Sequence, residues 1–369
     1  MTVPSTPSPE LALVVPGALD QRTGGYLYDA RMVNQLRDRG WRVTVRELPG
    51  RFPTGDPEAR RAMTEALAAL PDGSRVLVDG LALGGLPGEV EPHADRLRLL
   101  ALVHHPLAEE TGLPPYLRHR LAAVEREALR AVQGVIVTSA FTGERLEALG
   151  VPDSRIRVAP PGTEAAPRAP GVDAPGPPVL LCVGSLVPRK GQELLVAALA
   201  RLEDRAWQCI LVGSRTRDPA YALRVEERIR SEGLEDRIQL TGELGSGELA
   251  SRYQDAACLV LPSHYEGYGM VITEALARGL PVVATAGGAV PHTLPFDAGV
   301  LVPPGDLEAL TRALGELLES RERGGERWSR LAEAALRRGR ELPDWTEAGA
   351  NFARAVLELA PEPEGVRAG

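Results

Sequence analysis

The chain has 369 residues, 44% of them hydrophobic and 25% charged, and carries a formal net charge of −8. A chain of this length is expected to form two domains, each with its own hydrophobic core. The negative charge argues against general nucleic-acid binding, and no apolar run approaches the roughly 18 residues that a membrane-spanning helix needs. Cys182, Cys209 and Cys258 lie in short apolar runs without metal-ligand spacing, which is typical of buried thiols in a reducing cytoplasm.

The first half of the chain alternates short apolar runs with helical patterns. Strands are predicted at residues 11–15, 42–48, 76–79, 99–104 and 135–139. Residues 25–39 predict an amphipathic helix, because apolar side chains recur there at the spacing of one helical face. This alternation predicts a parallel sheet covered by helices. The loop after the first strand lacks G-x-G-x-x-G, which disfavours a dinucleotide-dependent dehydrogenase.

A proline-rich stretch at residues 166–178 is interpreted as a linker between a first domain at 1–165 and a second domain at 179–345. The second domain repeats the alternation. Its strands are predicted at residues 179–184, 209–212, 238–241, 259–262, 281–284 and 300–302. A last helical segment is predicted at residues 346–369, with the helix itself ending near residue 359.

The segment from Glu266 to Glu274 is the most informative part of the sequence. An apolar run at 258–262 precedes it, and a helix-forming run at 272–278 overlaps its end. The pattern is therefore a strand, a loop and the start of a helix. Either glutamate alone would be an ordinary solvated or helix-start residue, but the pair in this context predicts two carboxylates that reach opposite ends of a ligand.

The loop between these two glutamates suits a phosphate group. Gly267 and Gly269 allow the backbone to come close to a ligand. The unsatisfied N–H groups at the start of the helix, near Met270 and Val271, favour an anion. The segment thus predicts a nucleotide-sugar lying across a helix N-terminus.

A second candidate phosphate site lies in the strand end, loop and helix start at residues 183–191. Arg189 and Lys190 are adjacent cations there, and Lys190 is the only lysine in the chain. Fixed cations lower the barrier when negative charge builds on a diphosphate leaving group. The alternative is a basic turn exposed to solvent.

These motifs resemble those of the retaining GT-B glycosyltransferases of family 4, also called group 1. The resemblance implies an α/β fold with two Rossmann-like domains facing across a cleft. It implies that Glu266 contacts the transferred sugar, that Glu274 holds the nucleotide ribose and that Lys190 binds the diphosphate. The family commonly has arginine where Ser185 stands, so either Arg189 supplies that charge or the phosphate is held more weakly.

The resemblance extends to two further loops that would bind the donor. Gly24 and Gly25 resemble the family's glycine pair, which lies over the diphosphate from the opposite domain; a simple turn is the alternative. Gly242 and Glu243 resemble the loop that reads the nucleobase, partly through backbone atoms, which leaves the base open.

The acceptor side of the resemblance is His104, at the end of a predicted strand. It aligns with a family histidine near the acceptor and the sugar, and a purely structural histidine is the alternative. Glu110 and Thr111 are weaker candidates for contacts with acceptor hydroxyls. The last helix is expected to cross back onto the first domain.

The function implied is hexosyl transfer, with retention, from a nucleoside-diphosphate sugar to a hydroxyl on a glycan, lipid or small molecule, with no metal or other cofactor. Two alternatives stay open. One is a phosphorylase or sugar-phosphate synthase on the same fold. The other is a nucleotide-sugar-binding partner subunit without turnover, which Ser185 and His292 would favour.

The expected location is the cytoplasm. Residues 1–10 lack the charged-then-apolar pattern of a signal peptide. The arginine-rich helix predicted at residues 117–130 could lie on the inner face of an anionic membrane. Interspersed glutamates favour an ordinary surface helix instead.

Overall fold

The computed structural model describes residues 8–362, which form two compact units. The first unit ends at Gly162 and takes up the chain again from Trp345, and the second comprises Thr163–Asp344. Each unit contains one six-stranded sheet in which all neighbouring strands are parallel. The expectation of two α/β domains of Rossmann-like type is confirmed.

The first sheet has the strand order β2-β1-β3-β4-β5-β6. Its strands are β1 Glu10–Pro16, β2 Arg42–Leu48, β3 Arg75–Asp79, β4 Arg98–Val103, β5 Gly134–Val137 and β6 Ile156–Val158. The inner strands are almost continuously apolar because both of their faces are covered. The edge strand β6 was not predicted, since its three residues give too short an apolar run to stand out.

Helices of the first unit connect these strands. They are α1 Gly24–Asp38, α2 Pro57–Ala68, α3 Gly80–Leu83, α4 Pro87–Val90, α5 Pro115–Arg130 and α6 Ala140–Ala148, joined at the end of the chain by α14 Trp345–Leu359. The last helix packs on α1, where the Tyr28 ring meets the rings of Trp345 and Phe352 at centroid distances of 6.4 and 6.1 Å. Residues 363–369 of the predicted final segment lie outside the described residues.

The second sheet has the order β12-β11-β10-β7-β8-β9. Its strands are β7 Val179–Val183, β8 Gln208–Val212, β9 Ile238–Gly242, β10 Cys258–Leu261, β11 Val282–Thr285 and β12 Gly299–Val302. Its helices are α7 Gln192–Ala200, α8 Pro219–Ser231, α9 Ser246–Asp255, α10 Met270–Ala277, α11 Val290–Thr293, α12 Leu307–Glu322 and α13 Glu326–Gly339. The direction of the strand order reverses between β7 and β10, and ligands of such sheets bind beyond the carboxyl ends of the strands at this point.

The predicted linker at residues 166–178 is instead part of the second unit. Ala169 is fully buried, and its N–H donates to the carbonyl of Arg278 at 2.9 Å. Gly171 packs so closely on α9 that a Cβ would overlap the carbonyl of Asp255. Prolines and glycines indicate a segment without helix or strand, but such a segment can still pack against the core of a domain. The boundary therefore falls at Gly162 rather than at residue 165.

None of the helices between residues 8 and 362 combines the length and the apolar character needed to cross a bilayer.

Candidate active site

Glu266 lies in the loop that joins β10 to α10. The residue is only 6% exposed. The loop after β11 fixes its backbone: the N–H of Glu266 donates to Gly287 at 3.3 Å, and its carbonyl accepts from Ala289 at 2.8 Å. Gly288 has φ of 64°, and a Cβ there would overlap the Glu266 carbonyl. The two glycines thus allow two loops at the carboxyl edge of the sheet to pack backbone against backbone.

The Glu266 carboxylate is paired with Lys190, which follows β7. The Lys190 Nζ lies 2.6 and 2.9 Å from the two carboxylate oxygens. Arg189 is close as well, with Nη1 3.6 Å from Glu266 Oε2 and 2.8 Å from the carbonyl of Tyr265. Gly184 leaves room for the lysine, since a Cβ there would stand 3.2 Å from Lys190 Cδ. Two cations and one carboxylate, far apart in sequence, therefore meet at the switch point of the sheet.

Electrostatics favour an ionised Glu266. Burial alone would raise its pKa, but the attraction of Lys190 and Arg189 outweighs burial and lowers the pKa. Burial lowers the pKa of Lys190, and the attraction of the Glu266 carboxylate opposes that effect without cancelling it. Two cations lie within 3.6 Å of the Glu266 carboxylate and stabilise its ionised form.

Glu274 lies on α10, whose N-cap is Gly269 with φ of 90°. Its Oε2 accepts a hydrogen bond of 2.6 Å from the hydroxyl of Tyr253. Burial and the nearby carboxylate raise the pKa of Tyr253 well above its usual value, so the hydroxyl stays protonated and keeps donating. Arg278 covers the tyrosine ring at 4.7 Å. Tyr253 therefore orients Glu274, and no pattern in the sequence pointed to it.

The remaining predicted donor residues of the second unit lie at or just beyond the carboxyl ends of its strands, or at the start of the following helix. Ser185 follows β7, and its carbonyl accepts from Gln192 Nε2 at 3.1 Å. Gly242 ends β9 with φ of 74°, and Glu243 next to it is exposed. Gly267 belongs to the loop before α10, while Met270 and Val271 are the first residues of that helix. Gly213, directly after β8, packs so closely on the loop after β7 that a Cβ would overlap the carbonyl of Gly184.

In the first unit, the structure brings His104 next to Gly25, the second residue of the predicted glycine pair. Gly24 and Gly25 open α1, and a Cβ on Gly25 would lie 3.1 Å from His104 Cδ2. His104 Nε2 is 3.0 Å from Asp29 Oδ1 and 3.7 Å from Asp79 Oδ2. Both aspartates are buried, and both were missed. Asp79 could have been predicted as a site residue, because it is a carboxylate at the carboxyl end of an apolar strand. Asp29 lies within a helix, and no sequence pattern distinguishes it.

Among the described residues, Asp29, Asp79 and His104 each place one oxygen or nitrogen atom within 4.8 Å of the others. These distances are short enough for the three atoms to bind one metal ion. His104 Nε2 and Asp29 Oδ1 are joined by a hydrogen bond of 3.0 Å. We therefore interpret the three side chains as a group that shares protons. We call it the Asp29–His104–Asp79 cluster.

Comparison with known proteins identifies the family. Residues 28–166 match the family model described as Glycosyltransferase Family 4, and residues 167–338 match the one described as Glycosyl transferases group 1. The chain belongs to the group 1 glycosyltransferases. It is 28% identical to an MMP alpha-(1->4)-mannosyltransferase of Mycolicibacterium hassiacum over 86% of this chain and 79% of that protein.

Solved structures place this glycosyltransferase in the GT-B fold. Sucrose-phosphate synthase from Thermosynechococcus elongatus superposes with a TM-score of 0.79 at 24% identity, over 95% of this chain and 99% of that one. Anabaena HepE in complex with UDP-glucose gives a TM-score of 0.74 at 20% identity, over 94% and 99% of the two chains. At these identities the likeness concerns the fold alone.

The acceptor candidates of this glycosyltransferase form contacts within their own loop. The N–H of Thr111 donates to Glu110 Oε1 at 3.0 Å. The other oxygen of Glu110 lies 3.6 Å from His105 Nε2. The structure therefore places Glu110 and Thr111 in one loop that begins at His104.

A buried carboxylate on α5 binds the backbone of the loop that contains Glu110 and Thr111. Glu125 of α5 is 1% exposed and accepts a hydrogen bond of 3.0 Å from the N–H of Leu107. Burial, with a smaller effect from the charge of Glu109, raises the pKa of Glu125 to about 8. The carboxyl group is therefore protonated in the folded protein at neutral pH, although it ionises at that pH when the chain unfolds.

Glu125→Gln should remove a pH dependence from the stability of the glycosyltransferase. Because the folded pKa is raised from 4.5 to about 8, the stabilising contribution is complete below pH 4.5 and is lost as the pH rises through 8. Relative to wild type, the variant should gain up to about 5 kcal/mol of unfolding free energy between pH 4.5 and 9. Urea denaturation at several pH values measures this difference. Glu127→Gln, an exposed neighbour on α5, is the matched control, and parallel pH curves for wild type and Glu125→Gln would contradict the buried-acid assignment.

Proposed function

We propose that this glycosyltransferase moves a hexosyl group, with retention of configuration and without a metal, from a nucleoside-diphosphate sugar to a hydroxyl acceptor. The observation that carries the proposal is the contact of Lys190 and Arg189 with the buried Glu266 at the switch point of the second sheet. It combines cations for a diphosphate with a carboxylate for a sugar. The helix α10 begins four residues after Glu266 and adds backbone N–H groups suited to phosphate.

The division of roles follows from the chemistry of each group. Lys190 and Arg189 would stabilise the charge that develops on the leaving diphosphate. Glu266 would orient the sugar, and Glu274, held by Tyr253, would accept hydrogen bonds from the ribose. The leaving phosphate oxygen would take the proton of the acceptor hydroxyl on the same face of the sugar, which leads to retention. His104 in the first unit is assigned to the acceptor and the sugar.

The comparisons support the substrate class without selecting the acceptor. A relative named as a mannosyltransferase supports hexosyl transfer. The HepE structure holds UDP-glucose, which supports a nucleoside-diphosphate sugar as donor on this fold. Sucrose-phosphate synthase shares the fold, so a sugar-phosphate acceptor belongs in the same screen as plain polyols, glycans and lipids.

The decisive experiment combines binding with turnover. A thermal-shift screen uses UDP, GDP and ADP and their sugars, because a ligand at 100-fold its Kd adds about 2.7 kcal/mol of stability. The nucleotide that binds is then offered as its sugar with a panel of acceptors, and the anomeric configuration of the product is read by NMR. Binding of a nucleotide-sugar without turnover on any acceptor would favour the non-catalytic alternative. Inversion, or loss of activity with a chelator, would contradict the mechanism.

Glu274→Ala should weaken the binding of the nucleoside diphosphate and of its sugar to the same extent, since both contain the ribose. Loss of a charged hydrogen-bond partner suggests about 1.5–3 kcal/mol of binding free energy. Tyr253→Phe is the matched control, because it keeps the carboxylate and removes only the hydroxyl that orients it; we expect a smaller loss. Unchanged affinity of Glu274→Ala for the free nucleoside diphosphate, measured by calorimetry, would refute the ribose assignment.

A further inference from the structure

His104 lies between two buried carboxylates that the proposed mechanism does not use. Asp29 reaches its Nε2 from α1 and Asp79 from the end of β3, at 3.0 and 3.7 Å. Asp29 is 1% and Asp79 is 6% exposed. The Asp79 carboxylate also accepts from the N–H of Leu81 at 2.9 Å, which ties it to the start of α3. The two aspartates therefore have fixed positions on separate elements, and both are directed at one ring nitrogen.

The negative charges of Asp29 and Asp79 are compensated only if His104 or one of the carboxylates is protonated. Two buried carboxylates this close cannot both be ionised without a cation. Burial lowers the pKa of His104, but the attraction of Asp29 and Asp79 outweighs it and raises the pKa. Burial and the Asp29 charge raise the pKa of Asp79 to about 7. His105, the next residue in the chain, has its Nε2 3.6 Å from Glu110 Oε2. The Tyr28 ring contacts His104, and the Tyr28 hydroxyl donates to the carbonyl of Ala159.

The other ring nitrogen of His104 has no hydrogen-bond partner in the part of the chain that the structure describes. Within residues 8–362, Nδ1 makes no hydrogen bond, whereas Nε2 has Asp29. The side chain is 21% exposed, and its ring packs in a T-shaped contact with the Tyr28 ring at a centroid distance of 5.6 Å. Nδ1 is thus the atom of the imidazole that can meet a ligand.

We propose that Asp29 and Asp79 are positioning residues that hold His104 as an imidazolium, with Nε2–H bound to Asp29 and Nδ1–H offered to a hydroxyl oxygen of a bound sugar substrate. The inference rests on the proposed function for the identity of that substrate. A donor that carries a charge forms a shorter and stronger hydrogen bond than a neutral one. The carboxylate at Nε2 also fixes the orientation of the ring and leaves Nδ1 as the free nitrogen.

The test is a pH titration of His104 in the full chain. Two-bond ¹H–¹⁵N spectra report the protonation and tautomer of each of the six histidines, and the His104 signals are those missing from His104→Gln. In wild type we expect His104 to remain protonated above pH 6.5. In Asp29→Asn its titration should move down by about one pH unit or more, and the alkaline limb of kcat/KM should move with it. Asp56→Asn, an N-cap carboxylate of α2, is the control that should change neither.

Several outcomes decide against the proposal. An unchanged His104 titration in folded Asp29→Asn would overturn it, as would a wild-type His104 that is neutral at pH 7. Asp79→Asn provides a second folded variant, with a smaller downward shift expected. If micromolar Zn²⁺ or Mn²⁺ displaces the His104 signals and a chelator abolishes turnover, the cluster is a metal site instead. If the titrations are as expected but no sugar is transferred, the proposed function fails while the positioning of His104 stands.

Discussion

Replacing Lys190 with alanine should lower kcat by roughly 10²–10³-fold, which corresponds to about 2.7–4 kcal/mol of lost transition-state stabilisation. The lysine ammonium would matter most when the leaving diphosphate develops its charge. Lys190→Arg should restore only part of the rate, because a planar guanidinium does not replace a compact ammonium. A kcat within about threefold of wild type would remove Lys190 from the mechanism.

The structure adds a second consequence of the same substitution. Glu266 is 6% exposed, so removing Lys190 leaves a buried carboxylate that is paired, among the described cations, with Arg189 alone, at 3.6 Å. Breaking a buried ion pair costs about 3 kcal/mol or more of unfolding free energy. The double variant Lys190→Ala with Glu266→Gln should recover much of that stability but none of the activity. This double-mutant cycle separates a structural ion pair from a catalytic cation.

The sequence offers a direct probe of this site. Because Lys190 is the only lysine in the chain, labelling lysine at Nζ with ¹⁵N gives a single side-chain signal. Adding a nucleoside diphosphate to the ligand-free enzyme should shift that signal as a phosphate replaces or joins Glu266 as the partner of the ammonium. A signal unaffected by a saturating nucleotide would place the diphosphate elsewhere.

Glu266→Gln should reduce turnover by about 10²-fold or more while the enzyme still binds the free nucleoside diphosphate. Contacts with the reacting sugar act in the transition state and therefore change kcat rather than uniform binding. The substitution also releases Lys190 from its 2.6 Å ion pair. We therefore expect affinity for the free nucleotide at least equal to that of wild type.

The competing explanation is that Glu266 only fastens the loop between β10 and α10. Its backbone contacts with Gly287 and Ala289 do not depend on the side chain, so a purely structural role rests on the ion pair alone. Such a role predicts a lower melting temperature with near-normal kcat in the folded fraction. Both quantities should be measured on one preparation, with Glu193→Gln as control, since that glutamate pairs with Arg224 on the surface at 3.4 Å. Lost stability with retained kcat would reduce Glu266 to a scaffold residue.

The sequence by itself determined the fold class and the donor loop of the second unit. Buried parallel strands need continuous apolar runs, so the strands could be predicted from composition over four to seven residues. The strand–loop–helix arrangement around Glu266 and Glu274 could be predicted in the same way, because the strand, the glycine loop and the start of the helix follow one another directly in the chain. The local sequence was sufficient for prediction wherever the groups that act together are close to one another in the chain.

Only the tertiary structure decided which side chains share a charge or a proton. Lys190 and Glu266 are 76 residues apart, and Asp29 and His104 are 75 apart, so no local pattern connects them. Tyr253 could not be distinguished from any other core aromatic until its hydroxyl was found on Glu274. The proline-rich stretch at 166–178 read as a linker, since packing against α9 leaves no mark in composition. Hydrophobic periodicity in the sequence shows which face of a helix or strand is buried. Which loops meet at the carboxyl edge of a sheet depends instead on the order of the strands, and that order is established only in the folded protein.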